Sequence, residues 1–236
     1  MKRVLIVRAG SAPEPVRARH GDFADWFAEG LSPRALAEVA DGEAGALPDP
    51  GRFGGVVVTG SLKSVTRPEP WMDALGAWLL AAARRRPVLG VCFGHQLLAR
   101  ALGGRVERHA AGPEAGTAEV ELTGEGRRDP LFAGLPARLP VQVGHEDHVP
   151  ELPPGAVLLA RNAHGPVQAF AAGPNLRAVQ VHPEFTASRC RAFAEAEREW
   201  LERARPGLAG EVLAGIRETP EASRLLANWV EGYVAG

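Results

Sequence analysis

Short runs of apolar residues recur along the chain, and their lengths predict strands rather than helices. The first three runs are nearly continuous, which is typical of parallel strands buried on both faces. From about residue 120 to 181 the runs follow one another faster, separated by glycine and proline, which predicts additional antiparallel strands. The predicted strands cover residues 4–7, 56–59, 88–91, 120–122, 141–143, 157–160, 167–170 and 178–181.

Helical patterns lie between and after these runs. Ser32 followed by Pro33 is a favourable helix start, and we expect a helix from there to Ala40. Residues 71–86 carry an apolar stripe at helical spacing and predict a second helix. From about residue 187 onward the pattern is helical, with breaks near the prolines at 206 and 220.

Strands alternating with helices predict an α/β fold. We expect an open, mostly parallel sheet with helices on both faces, a β-rich antiparallel flank and a helical C-terminal extension. The sequence contains no internal repeat and no long linker. We therefore predict a single domain over residues 1–236, with a core over 1–185 and the extension over 186–236.

Composition narrows the choice of function. The 236 residues include 27 Lys and Arg against 28 Asp and Glu, a net charge of −1, which argues against a nucleic-acid partner. No apolar run is long enough to span a membrane, and the one at the start is too short for a signal peptide. With only two cysteines, we expect a reducing, cytoplasmic setting. No nucleotide-binding motif is present, and no cofactor is predicted.

The segment Gly90-Val91-Cys92-Phe93-Gly94 carries the most specific chemical signal. A buried strand ends in this segment and a helix begins at once, which is the pattern of a nucleophile elbow with cysteine in place of serine. Glycines at both ends allow strand and helix to approach closely. The positive end of the helix favours the thiolate, and the free amide of Phe93 can bind an oxyanion. We predict that Cys92 is a nucleophile.

A buried structural role is the usual fate of a free cysteine and is the alternative for Cys92. The strand before it and the helix after it favour catalysis. Cys190 has no such setting, and we assign it to packing or to the surface. His95, in the first turn of the same helix, is expected to bond the backbone, and His20, His109 and His164 to lie at the surface.

A nucleophilic cysteine needs a histidine base, usually oriented by an acid. Among seven histidines, His182 stands out because it follows a predicted strand and so lies at a strand end. Pro183 favours an extended backbone, so that His182 and Glu184 point the same way. Glu184 would hold one imidazole nitrogen while the other faces Cys92.

Together these segments resemble the class I, triad-type glutamine amidotransferases, whose patterns are G-x-C-x-G-H-Q and Q-x-H-P-E. The resemblance implies Cys92 as nucleophile, His182 as base and acid, and Glu184 as third member. It also implies that the Gly60 amide completes an oxyanion hole with Phe93. Substrate-binding positions follow from the same resemblance at Gln96, Ser61, His145 and Asp147. The resemblance runs from about residue 4 to residue 184.

The segment Val143-Gly144-His145-Glu146-Asp147-His148 departs from the pattern of GMP synthase-type members of that family. Gly144 replaces a serine, and Glu146 replaces a glycine whose backbone lies close to the substrate. Glu146 adds a negative charge there, which puts the substrate in question more than the chemistry. His145, Asp147 and His148 could also ligate a metal, but without a third distant ligand we predict none.

These observations leave three hypotheses for the function. The first is a glutaminase that releases ammonia from glutamine through a Cys92 thioester and passes it to an acceptor on a separate synthetase chain. The second keeps the same three residues but cuts other γ-glutamyl compounds, as a γ-glutamyl peptidase or hydrolase. The third is a non-catalytic, regulatory homologue.

Overall fold

A computed structural model describes residues 2–234, and these form a nine-stranded sheet flanked by helices, with a separate two-stranded sheet. In chain order the strands are β1 (Lys2–Arg8), β2 (Ala35–Asp41), β3 (Gly55–Val58), β4 (Val88–Val91), β5 (Glu107–Arg108), β6 (Glu114–Leu122), β7 (Arg138–His145), β8 (Asp147–His148), β9 (Val157–Arg161), β10 (Ala169–Ala172) and β11 (Leu176–Val179). The helices are α1 (Glu14–His20), α2 (Phe23–Leu31), α3 (Pro70–Ala83), α4 (Phe93–Ala101), α5 (Ala187–Ala196), α6 (Arg198–Ala204), α7 (Leu208–Gly215) and α8 (Pro220–Gly232).

The large sheet has two halves that differ in strand direction. Its order is β2-β1-β3-β4-β11-β10-β9-β6-β7, and the first five strands pair in parallel. The remaining strands pair antiparallel. β5 and β8 form the small antiparallel sheet. The expected α/β class, with its antiparallel flank and helical C-terminus, is confirmed.

Both faces of the parallel half are buried, which explains its unbroken apolar strands. On β1, Val4 and Ile6 join the core beneath α2 and α8, whereas Leu5 and Val7 join the core beneath α3 and α4. A third cluster joins α1 and α2 to α5, α6 and α7. Consecutive side chains of a strand point to opposite faces, so each strand here contributes to two cores.

The helix expected from Ser32 to Ala40 is wrong. Ser32 instead ends α2, and residues 35–41 form β2, paired in parallel with β1 over seven positions. The residues of β2 have a local preference for helix. The preference is weak, and pairing of the β2 backbone with the edge of β1 overrides it. Helices α1 and α2 were not predicted. Asp22 caps α2 in a reciprocal bond with Asp25, a short-range signal that could have been read.

The C-terminal helices pack closely on the rest of the chain. Breaks fall at residues 205–207 and 216–219, near the expected prolines. In α8, Leu226, Trp229 and Val230 are fully buried in the core shared with β1 and β7. The division into a core and an extension stays a prediction, and residues 1 and 235–236 of the expected range lie outside the described residues. Among residues 2–234, no helix combines the length and the apolar character that crossing a membrane requires.

Candidate active site

Cys92 occupies a strained turn between β4 and α4. Its φ of 52° is the one positive value at a non-glycine position among the described residues, and such a conformation costs about 1–3 kcal/mol. A Cβ on Gly90 would lie 2.7 Å from the Gly94 carbonyl oxygen, and one on Gly94 would lie 2.7 Å from that of Val58. Only glycine fits at either position. The turn therefore holds the cysteine outside regular structure, at the carboxyl end of a central strand.

His182 follows β11, the strand that pairs with β4, so it reaches the same edge of the sheet. Its Nδ1 lies 2.6 Å from Oε1 of Glu184, and its ring stacks on Phe185 with centroids 4.3 Å apart. Burial opposes the charged imidazole, but the charges and hydrogen bonds of Glu184 and Cys92 outweigh it and raise the pKa of His182. We refer to Cys92, His182 and Glu184 as the Cys92 centre.

Gly60 lies against the Cys92 centre. A Cβ there would lie 3.0 Å from Cε1 of His182 and 3.7 Å from Cβ of Cys92. Thr59 fixes this turn, because its hydroxyl donates to the Gly60 carbonyl and accepts from the Ala9 amide. Among residues 2–234, neither the Gly60 amide nor that of Phe93, the first residue of α4, donates to a backbone carbonyl. Both remain available to an incoming oxygen.

A cavity of about 710 Å³ opens above Cys92. Gln96 lies in its buried floor and donates from Nε2 to the Asp147 carbonyl at 2.8 Å and to Gln180 at 3.1 Å. The Asp147 carboxylate accepts from the hydroxyl of Ser64. Ser61 lines the same cavity, and its hydroxyl accepts from the Lys63 amide. The structure thus brings Gln96, Ser61 and Asp147 into one pocket with Cys92.

His145 also lines the cavity, but both of its ring nitrogens have protein partners. Nδ1 lies 3.0 Å from the Asp147 carbonyl oxygen, and Nε2 lies 3.0 Å from Oε2 of Glu114. Its imidazole therefore anchors the segment that contains Asp147, and only the ring face is free to meet a ligand.

Glu146 lines the cavity, and its carboxylate is paired with residues outside the Cys92 centre. Its carboxylate lies 2.7 Å from Nη2 of Arg108 on β5 and 3.4 Å from Nε1 of Trp200 on α6. We call Phe193, Glu197, Trp200 and Arg203, which line the cavity from α5, α6 and their junction, the outer wall. We call residues 143–148 the floor segment. Glu146 therefore ties the floor segment to the outer wall, a contact between distant parts of the chain that no short-range pattern indicates.

The remaining histidines differ from expectation. His20, His109 and His164 are half-buried rather than exposed, and the rings of His109 and His164 stack with centroids 4.0 Å apart beside His148. Burial and these neighbours lower the pKa of His148 to about 4. His95 is fully buried, and within residues 2–234 neither of its nitrogens makes a backbone hydrogen bond, so the expected backbone bond is wrong. Burial lowers its pKa to about 3.

Two other residue sets bear on the chemistry. Cys190 is buried in α5, and burial raises its pKa to about 12, which suits packing rather than reaction. Across residues 2–234, no three or more His, Cys, Asp or Glu side chains are arranged to hold a metal ion.

Comparison with known proteins places this architecture in a family. The family described as "Glutamine amidotransferase class-I" matches residues 49–195. The chain belongs to the class I glutamine amidotransferase family. The match ends before α6, so most of the outer wall lies beyond it.

Relatives of two kinds resemble the chain. A GMP synthase [glutamine-hydrolyzing] of Thermomicrobium roseum is 43% identical over 130 residues, which are 55% of this chain and 23% of that protein. Gamma-glutamyl peptidase 4 of Arabidopsis thaliana is 34% identical over 191 residues, 78% of this chain and 76% of that protein. A Thermotoga maritima glutamine amidotransferase structure has a TM-score of 0.79 at 23% identity and covers 100% of this chain and 99% of its own. The chain thus spans less than a quarter of that GMP synthase.

Proposed function

We propose that the chain hydrolyses the γ-amide of glutamine through a thioester on Cys92. The observation that carries this proposal is the Cys92 centre, in which a strained cysteine and a histidine paired with Glu184 lie at one sheet edge, beneath a cavity. A raised pKa at His182 suits an imidazolium paired with a thiolate.

The reaction proceeds in two balanced halves. The Cys92 sulfur attacks the amide carbon, and the amides of Gly60 and Phe93 receive the oxyanion. His182 gives its proton to the nitrogen as the carbon–nitrogen bond breaks, and ammonia leaves. His182 then takes a proton from water, the hydroxide attacks the thioester, and glutamate leaves as the carbon–sulfur bond breaks. Each oxyanion donor contributes about 3 kcal/mol in comparable enzymes.

The chain supplies a matched pair of cysteines for the test. Cys92→Ala should abolish glutamate release from glutamine, measured with purified protein, because no other thiol lies at the pocket. Cys190→Ala is the control, since that sulfur is buried in α5, and it should retain release. Release that persists in Cys92→Ala would contradict the proposal.

A second candidate is hydrolysis of larger γ-glutamyl amides by the same three residues. The extent of the sequence match favours it, because the chain and the Arabidopsis peptidase match over about three quarters of both lengths. In the amidotransferase form of the proposal, ammonia passes to an acceptor on a separate synthetase chain; the 236 residues contain no nucleotide-binding motif. Both forms suit a reducing, cytoplasmic setting, which keeps the Cys92 thiol free.

The third hypothesis, a non-catalytic homologue, predicts an unreactive thiol at position 92. A glutamine-like electrophile, with the site of modification read by peptide mass spectrometry, separates it from the two hydrolytic candidates. Modification confined to Cys92 supports catalysis, whereas an unmodified Cys92 supports the non-catalytic form.

A further inference from the structure

Most of the outer wall lies beyond the residues that match the family. Glu197, Trp200 and Arg203 line the cavity but lie after residue 195, where the match ends. Whatever these side chains recognise must therefore be read from their own chemistry and position.

The two residues of the floor segment that differ from the family pattern, Gly144 and Glu146, both contact this wall. Gly144 stands where the family pattern has serine, and a Cβ at Gly144 would lie 3.4 Å from Cε1 of Phe193, so the aromatic ring rests directly on the glycine. Glu146 stands where that pattern has glycine, and its carboxylate accepts from Trp200 and pairs with Arg108. The two substitutions and the two aromatic residues therefore form one unit.

The exposure of the lining residues shows that the pocket runs from a buried end at Cys92 to an open rim. Cys92 and Gln96 are 5% and 4% exposed, whereas the side chains of Arg108 and Arg203 at the rim are 71% and 70% exposed. Glutamine has about ten non-hydrogen atoms, yet cavities of about 300–1,000 Å³ hold drug-sized ligands, and this one is about 710 Å³. A substrate whose carbonyl reaches Cys92 therefore has room to extend along the outer wall.

Beside the half-buried carboxylate of Glu197, the wall offers a ligand two kinds of contact. Phe193 and Trp200 are half-buried aromatic residues, which bind flat apolar groups. Arg203 lies 3.6 Å from the carboxylate of Glu199, whose side chain is 93% exposed, so this pairing is weak and easily exchanged. A guanidinium in that state is suited to a ligand carboxylate.

We propose that the outer wall is a leaving-group subsite that selects γ-glutamyl amides whose amine portion carries a flat apolar side chain and a carboxylate. The inference rests on the proposed function and specifies its substrate class. When the carbon–nitrogen bond breaks, the amine takes a proton from His182 and leaves past the rim instead of ammonia. Trp200 and Arg203 are the specificity-determining residues, and Glu146 with Arg108 positions Trp200.

Three synthetic substrates separate the two contacts. γ-Glutamyl-phenylalanine carries both the ring and the carboxylate, γ-glutamyl-phenethylamide only the ring, and γ-glutamyl-ethylamide neither. For the wild-type protein we expect kcat/KM to rise in steps from the ethylamide to the phenylalanine compound, by roughly tenfold or more overall.

Two variants assign each step to its residue. Trp200→Ala should bring the phenethylamide-to-ethylamide ratio near one, whereas Trp200→Phe, which keeps an aromatic ring and guards against misfolding, should preserve most of it. Arg203→Gln should bring the phenylalanine-to-phenethylamide ratio near one. Arg138→Gln, an exposed arginine on β7 that does not line the cavity, is the matched control and should change neither ratio.

The outcomes separate this inference from the proposed function. If the wild type cleaves the ethylamide but shows no preference for the larger compounds, the subsite is wrong and the proposed function stands. The same holds if the preference exists but survives in both Trp200→Ala and Arg203→Gln. If neither glutamine nor any of the three amides is cleaved, the proposed function fails and the subsite fails with it.

Discussion

In the Cys92 centre the backbone fixes the geometry, whereas in the outer wall side chains from distant segments fix it. Cys92 is held by a turn that only glycines at positions 90 and 94 permit. Glu146 is held by Arg108, 38 residues before it, and by Trp200, 54 residues after it. A centre fixed by local sterics tolerates almost no change, while a wall fixed by exchangeable contacts can vary, and with it the substrate.

After the loss of activity expected for Cys92→Ala, the largest effect should come from His182. His182→Gln removes the proton carrier, and general acid–base catalysis is worth about 10²–10⁴-fold, so kcat should fall by that factor. Glutaminase assays on His182→Gln beside His20→Gln, a histidine on α1 that does not line the pocket, measure it. A loss of less than tenfold would show that the Cys92 centre does not depend on this histidine.

Alanine substitutions at two glycines, one in the elbow and one beside the outer wall, compare the two regions by their effect on unfolding free energy. Gly94→Ala forces a Cβ to 2.7 Å from the Val58 carbonyl oxygen, and overpacking of this kind costs about 3 kcal/mol of unfolding free energy. Gly144→Ala places its Cβ at 3.4 Å from Phe193, an ordinary contact, and should change stability by less than about 1 kcal/mol. Equal losses in urea unfolding would remove the distinction between a rigid centre and an adaptable wall.

These positions also show how far the sequence can be read. The elbow and the His-Pro-Glu segment are local patterns set by strand ends, and the structure brings Cys92, His182 and Glu184 to one sheet edge, as expected from the sequence. The pairing of Glu146 with Trp200 depends on where α6 packs, which no short pattern encodes. The helix predicted for residues 32–40 was wrong for a similar reason. Residues 35–41 form the edge strand β2 because β1 lies beside them and pairs with them, which a local pattern does not show.

His95 should make the protein sensitive to acid. Its pKa is about 3 in the folded state against an ordinary 6.5, so protons bind preferentially to the unfolded chain. The stability it contributes is complete above about pH 6.5 and is lost as the pH falls toward 3, by about 2 kcal/mol at pH 5 relative to pH 7.

His95→Gln removes this titration, and urea unfolding at both pH values measures the difference. The variant should lose about 2 kcal/mol less than the wild type between pH 7 and pH 5. Identical pH dependence in the two proteins would mean that the His95 imidazole is not kept neutral by burial.

The smallest effect is expected at Glu146. Glu146→Gln weakens its pairing with Arg108, whose side chain is 71% exposed, and pairs of this kind contribute under about 1 kcal/mol. Unfolding free energy should therefore barely change. A loss of several kcal/mol would show that this contact holds the fold rather than shaping the pocket.

The covalent intermediate on Cys92 can be looked for directly. The protein is mixed with glutamine or γ-glutamyl-phenylalanine, quenched in acid within milliseconds and examined by peptide mass spectrometry. We expect one glutamyl group on the peptide that contains Cys92, none on the peptide with Cys190, and none in Cys92→Ala. Glutamate release without any adduct on Cys92, together with unchanged release by Cys92→Ala, would contradict the proposed thioester.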